Sequence, residues 1–487
     1  MSASTSSVRR IAVIGGGFSG LAAAHRLREL APDAEVVLLE QSDRVGGVVR
    51  TEEADGFLFE HGADMFTTKE PWALGVCRRI GFDGELINTN AQHARAFVVR
   101  RGRLYPVPEG FTLMTPGRMW PIARSPLLSL AGKLRMAGEY FVPPRQETED
   151  ESLQQFVTRR LGREAYERLV QPLIGGIYTA DPTKLSMQAA LPQFIEMERK
   201  HGSLIRAIRS TKRGAGAPVE KSAGARYGLF VTPRHGMESF LQAIARRLPD
   251  GIVHLGTPVE SIHRCADGRW DVAAPRLPNS GPFDAVLLAT PAHHSARLLQ
   301  ETSPELAQEL AGIPYATAAV VVVGVRREQL RHPLNGFGVV VPLTENRRVL
   351  AISLSSVKFA GRAPEGSVLM RIFVGGACQE HLAELPEPEL EQLALGELRD
   401  LLGLTGTPQL VRIVRWRRAM PQYHVGHLDR MRRIERLLEG FPTLALAGNA
   451  YRGVGIPFCI RGGESAAEKL VGTSDWRDSQ AATHSRQ

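Results

Sequence analysis

Short apolar runs bounded by glycine or polar residues dominate the first part of the chain. Ile11-Ala-Val-Ile14 is brief and uninterrupted, which predicts a strand buried on both faces. Leu21 to Leu30 reads as a helix, and Glu35 to Leu39 is a second apolar strand that ends in Glu40. Phe283 to Pro291 and Leu444 to Gly448 repeat the short-strand pattern, and a helix follows the second from about Cys459 to Leu470. Gly256 to Ile262 is expected to be a further strand. Residues 1–90, 225–300 and 436–473 are therefore expected to form one α/β domain that is discontinuous in sequence.

The periodicity changes between these segments, and residues 91–224 read as helical. From Pro126 to Phe141, residues Leu127, Leu128, Leu130, Ala131, Leu134 and Ala137 share one side while Lys133 and Arg135 interrupt them. This predicts one amphipathic helix packed on a core; a face turned to a membrane or a lipophilic ligand is the alternative. Residues 301–435 hold β-rich runs at Ala316–Val325, Gly336–Pro342, Val349–Leu354 and Val368–Val374, which predicts an antiparallel sheet. Glu380 to Leu402 reads as helical from its leucine spacing. Ser210 to Ala225 has the composition of a surface linker, and 474–487 reads as a frayed tail.

Chemistry enters at the first turn. Gly15-Gly-Gly17-Phe-Ser-Gly20 joins the first strand to the first helix, with glycines at the spacing of a dinucleotide fingerprint. Gly15 permits the tight turn, Gly17 lets the backbone approach a pyrophosphate, and Gly20 allows close helix–strand packing. The helix N-terminus adds free N–H groups and a positive dipole end. Forty-eight glycines make a chance match unsurprising, so context decides. Here a strand precedes the turn, and Glu40 ends the next strand, where its carboxylate can accept the ribose hydroxyls.

Composition narrows the class. The 487 residues suffice for two or three domains, and 60 Lys+Arg against 51 Asp+Glu give a formal net charge of +9. The excess is spread along the chain and forms no basic arm. It suits acidic small molecules and argues against nucleic acid. Cys77, Cys265, Cys378 and Cys459 form no CxxC pair, so neither a zinc site nor a disulfide framework is expected. That usage, with no signal-peptide pattern and no membrane-length apolar run, predicts a cytoplasmic protein.

Past Glu40, Arg44-Val45-Gly46-Gly47 offers a second approach to phosphate that resembles FAD enzymes of the glutathione-reductase class. The chain as a whole resembles the protoporphyrinogen oxidase and coproporphyrinogen III oxidase family. Five elements carry this resemblance: Glu60-His-Gly62-Ala-Asp64-Met-Phe66, Gly176 to Ser186, Gly336-Phe337-Gly338 with Pro342 and Glu345, Met420 to Leu428, and Gly448-Asn449 through Val454-Gly455 to Ile460. Ala63, Thr179-Ala180 and Arg234 to Met237 depart from the family's usual residues.

The resemblance implies a Rossmann-type FAD-binding domain of the amine-oxidase class, an antiparallel-sheet substrate domain and a helical insert. It implies FAD held non-covalently by Gly15, Gly17, Gly20, Glu40, Arg44, Gly46, Gly47, Gly62, Gly448, Asn449, Val454 and Gly455, with the Val259 backbone pairing the adenine. It further implies oxidation of a porphyrinogen of haem biosynthesis, six electrons leaving as three hydrides, with O2 as acceptor and H2O2 as by-product. Arg95 would bind a propionate, Gly176 would face the tetrapyrrole through its carbonyl, and Phe337 would pack on it. No catalytic base is assigned; His293, His294 and His427 have no carboxylate partner in the sequence. An amine oxidase, a carotenoid desaturase and a non-catalytic porphyrin-binding protein are the competing readings. A peripheral membrane contact and a homodimer stay open.

Overall fold

The computed structural model describes residues 9–147, 149–214, 229–277 and 281–472. The elements of the expected nucleotide domain start with β1 (Arg10–Ile14), α1 (Phe18–Leu30) and β2 (Glu35–Leu39). The middle of the chain gives β3 (Ala96–Arg100), β4 (Arg103–Pro106), α2 (Leu130–Ala137) and α3 (Gln171–Tyr178). Next come β5 (Val253–His254), β6 (Ala285–Leu288), β7 (Tyr315–Arg326), β8 (Gly338–Val340), β9 (Ala351–Ser353) and β10 (Ser367–Gly375). The chain continues with α4 (Glu387–Leu402), β11 (Leu410–Pro421), α5 (His427–Leu438), β12 (Leu444–Leu446) and α6 (Ile456–Val471).

β5, β2, β1, β6 and β12 lie side by side in that order, all parallel. Ile11 and Val13 face one layer with α1 and α6, while Ala12 and Ile14 face another with Trp270 and Phe283. Burial on both faces explains why β1 is apolar from Ile11 to Ile14. The stretch Gly256–Ile262 corrects expectation: only Ser261–Arg264 is strand. Gly256 and Thr257 instead donate their N–H groups to the carbonyls of Ser42 and Glu40, at 2.7 and 2.9 Å.

The second sheet has seven strands in the order β11-β7-β10-β9-β8-β3-β4. It is antiparallel except where β8 and β3 run parallel. β3 and β4 lie inside the region expected to be helical. They form a hairpin because Arg101 and Gly102 take positive φ, 51° and 71°, between two β-prone runs. Phe97, Val99, Val339, Ile352 and Ile372 bury one face of this sheet against α4. The other face turns toward the helical insert and the flavin domain.

The insert also departs from the simplest reading. Ser129 caps α2 by accepting the Gly132 N–H, so the helix starts there and not at Pro126. Leu127 and Leu128 are buried, but Leu130 and Leu134 are 75% and 66% exposed. Pro386 divides the expected helix 380–402 into Glu380–Ala383 and α4. Ser210–Gly214, expected as linker, end a helix that starts at Leu204; 215–225 and 474–487 lie outside the described residues. No helix among the described residues is long and apolar enough to cross a membrane.

One ion cluster ties the segment around Asp64 to the seven-stranded sheet. Lys358 Nζ donates to Asp64 Oδ2 at 2.9 Å, Arg371 Nη1 lies 3.4 Å from the same oxygen, and Arg371 also donates to the Gly62 carbonyl. Both cations are buried. Burial alone would raise the Asp64 carboxyl, but Lys358 and Arg371 outweigh it and hold it at about 2. Its folded value lies below its ordinary one. The stabilisation is therefore present above pH 4 or so and lost as pH falls through about 2. Asp64→Asn leaves two buried cations unpaired and should lower unfolding stability by about 3–5 kcal/mol at pH 7. Urea unfolding from pH 7 to pH 3 checks this: the wild-type advantage should shrink toward the acid end.

Candidate functional site

The carboxyl ends of β1, β2, β6 and β12 meet along one edge, where open parallel sheets bind their ligands. Gly15 has φ +108°, and its N–H donates to the Leu39 carbonyl at 2.8 Å. A Cβ at Gly20 would sit 1.8 Å from the Gly15 carbonyl oxygen. At Gly463 of α6 it would sit 2.1 Å from the Ser19 carbonyl oxygen. These glycines are packing requirements. Gly17 is different, because a Cβ there would meet nothing within 4 Å. The nearest atom to a Cβ on Gly47 is the Gly17 Cα, at 3.9 Å. Gly17 and Gly47 thus face open space beside the N-terminus of α1, a cradle shaped for a pyrophosphate.

Glu40 ends β2, buried, with Oε2 accepting the Gly16 N–H at 2.7 Å and Oε1 the Ser42 N–H at 2.9 Å. Arg44 spends its guanidinium on the carbonyls of Val45, Gly47 and Val49, so it shapes the turn that presents Gly47. Gly46 belongs to that turn, with φ +124° and its N–H on the Gly16 carbonyl at 2.8 Å. Gly62 is packed against the Val48 carbonyl and the Trp416 ring. Val259 follows the stretch bonded to the Glu40 carbonyl and is half-buried. From the far end of the chain come Gly448, Asn449 and Val454, and Gly455 caps the N-terminus of α6. An open cradle, a carboxylate at the ribose position and two helix N-termini fit FAD.

An apolar face near Gly176 is built across strands. A Cβ on Gly176 of α3 would lie 3.6 Å from Ala351 Cβ and 3.7 Å from Val340 Cγ1. Val340 pairs with Ala351, Ala351 with Phe373, and Phe373 with Val320. One apolar row therefore runs over four strands beneath Gly176. Sequence reasoning missed Val340, Ala351 and Phe373 as a group. Their alternation within each strand was visible, but their mutual register was not. Arg95, just before β3, is exposed, and its guanidinium has no partner among the described residues. Its carbonyl accepts the Phe337 N–H at 2.8 Å. Phe337 is buried among Val98, Leu173 and other insert residues, so it serves the core between sheet and insert.

Several buried groups are shifted from their ordinary values. His427 Nε2 bonds the Tyr451 carbonyl at 3.1 Å, and burial lowers its pKa. His293, beside His294 and Tyr315, is lowered to about 4, first by burial and then by His294 and Arg418. Burial pushes the Cys459 thiol up to about 12. Burial also raises Glu60 to about 7, although it accepts the Met237 N–H and the Thr51 hydroxyl, each at 2.8 Å. No cluster of metal-ligating side chains occurs among the described residues.

A family described as flavin containing amine oxidoreductase matches residues 18–471. The coproporphyrinogen III oxidase of Propionibacterium freudenreichii subsp. freudenreichii is 35% identical over 95% of this chain and 90% of its own. Protoporphyrinogen oxidase 1, chloroplastic, of Arabidopsis thaliana is 31% identical over 93% of this chain and 86% of its own. A crystal structure from Exiguobacterium sp. 255-15, assigned as a protoporphyrinogen oxidase, aligns with TM-score 0.84 at 30% identity, covering 95% of this chain and 99% of that one. FAD is the cofactor that such a cradle holds. The chain belongs to the flavin containing amine oxidoreductase family, in the group that contains the coproporphyrinogen III and protoporphyrinogen oxidases.

Proposed function

We propose that this protein oxidises coproporphyrinogen III to coproporphyrin III in haem biosynthesis. The observation that carries the choice of substrate is the 35% identity to a coproporphyrinogen III oxidase across nearly the whole of both chains. FAD, when bound, supplies a two-electron hydride acceptor, and O2 is the final acceptor, yielding H2O2. The protein's share is orientation and exclusion of water. The row Val340, Ala351 and Phe373 gives a flat apolar wall, and glycine at 176 lets α3 close over it without a side chain. Arg95, exposed and with no side-chain partner among the described residues, would form a bidentate pair with a propionate in this reading.

FAD is held without a covalent link in this reading. The Cys459 thiol stays protonated far above neutral pH and is a poor nucleophile. The helical insert also supports a peripheral membrane contact. Trp120, Leu130, Leu134 and Phe141 are 66–80% exposed, and Arg124 and Lys133 lie among them in sequence. Apolar side chains interspersed with cations suit an anionic lipid surface.

Aerobic porphyrin fluorescence from the FAD-loaded enzyme, with each porphyrinogen supplied separately above its auto-oxidation control, tests the function. Coproporphyrinogen III should turn over faster, and a yellow protein inert toward both substrates would overturn the reading. In the same assay Arg95→Ala should raise KM about tenfold or more, the cost of a lost charge-assisted pair, with FAD still bound. Unchanged kinetics would remove Arg95 from the site. Co-sedimentation with anionic phospholipid vesicles should fall several-fold in a Leu130→Ser/Leu134→Ser variant. Equal pelleting of variant and wild type would discard the membrane contact.

A further inference from the structure

Two stretches distant in sequence, 176–186 and 420–428, meet in space beside a third, the turn that leads into α6. Ser186 N–H donates to the Tyr423 carbonyl at 2.7 Å, and Val425 N–H donates to the Lys184 carbonyl at 2.8 Å. Leu185 and His424 form an antiparallel bridge between them. Gln422 N–H holds the same loop to the substrate sheet through the Pro314 carbonyl, at 2.9 Å. The loop 421–428 is thus bonded to the helical insert on one side and to the sheet on another.

Its side chains reach the third lobe. Tyr423 Oη–H donates to the Asn449 carbonyl and its oxygen accepts the Gly453 N–H, both at 2.7 Å. The His427 ring stacks on the Tyr423 ring, centroids 4.1 Å apart and planes 11° from parallel. His427 Nε2 bonds the Tyr451 carbonyl at 3.1 Å. A carbonyl can only accept, so Nε2 carries the proton. Two buried side chains therefore hold the turn at residues 449, 451 and 453. The turn has little freedom of its own. Gly453 has φ +130°, and a Cβ there would lie 2.5 Å from the Phe458 ring. Two residues later Gly455 begins α6, whose free N–H groups and positive dipole end lie at the nucleotide edge.

We propose that Tyr423, backed by His427, is a positioning residue. It sets the 449–453 turn, and with it the N-terminus of α6, against the flavin. Because its own backbone is bonded to Ser186, it locks that setting to the segment that follows α3. Its hydroxyl makes two of the three bonds that fix the turn, and His427 makes the third and stacks on its ring.

Tyr423→Phe keeps the ring stacked on His427 and removes only the hydroxyl, so Gly453 N–H and the Asn449 carbonyl lose their partner. The test uses purified FAD-loaded enzyme, dithionite and a reference dye, with no porphyrinogen, so its outcome is independent of the substrate assigned above. Dipole stabilisation of the reduced flavin should weaken about tenfold, which lowers the two-electron midpoint potential by about 30 mV. The FAD dissociation constant should rise about tenfold, and the visible flavin bands should shift. His427→Phe, which keeps a stacked ring without the donor, should move the potential the same way by less. A folded Tyr423→Phe enzyme with wild-type potential, spectrum and FAD affinity would overturn the proposal. Should that variant yield no soluble protein, the His427→Phe potential decides, and a wild-type value there would overturn it equally.

Discussion

Helix α1 lies where it does because no side chain intervenes at Gly20 or Gly463. At these positions the backbone of α1 touches the β1 turn on one side and α6 on the other, at distances that admit no Cβ. That double contact brings the N-termini of α1 and α6 to one edge of the parallel sheet, although more than four hundred residues separate them in sequence. It also leaves Gly17 facing open space opposite Gly47. The nucleotide cradle is thus a by-product of close packing, and a methyl group at either contact would spread the elements that form it.

Some of the polar contacts that join the lobes are buried. Asp64 bridges the segment between residues 60 and 66 to Arg371 on β10 and to Lys358, which ends the short helix Ser355–Lys358. Tyr423 and His427 bridge the loop after β11 to the turn before α6. Burial makes each of these expensive to leave half-formed, so they specify one arrangement of the lobes more sharply than apolar contacts alone would. The apolar row beneath Gly176 and the cofactor edge inherit their relative placement from such ties.

The local pattern was enough for β1, the glycine turn, α1, β2 and Glu40, because each depends on residues within a few positions of it. It was not enough for β3 and β4. An apolar run such as Ala96–Val99 reads alike as buried helix or strand, and its pairing with β8 spans more than two hundred residues. The spacing of Leu130 and Leu134 showed an apolar face but not whether anything covers it; the fold leaves it bare. Arg44 stood at the position of a phosphate ligand, yet three carbonyls of its own turn claim its guanidinium.

The dinucleotide turn was legible in the sequence alone, for a physical reason. Backbone approach to a pyrophosphate demands glycine at set spacings, and no distant chain segment has to be known to see them. FAD and the family came from the resemblance of five longer elements. The apolar row proposed as the substrate wall was decided only by tertiary structure. Val340, Ala351 and Phe373 share a face because hydrogen-bonded register aligns three strands, and Gly176 joins them because a helix from another lobe packs there. Register and lobe packing are sums of many weak, long-range contacts, and no short motif records them.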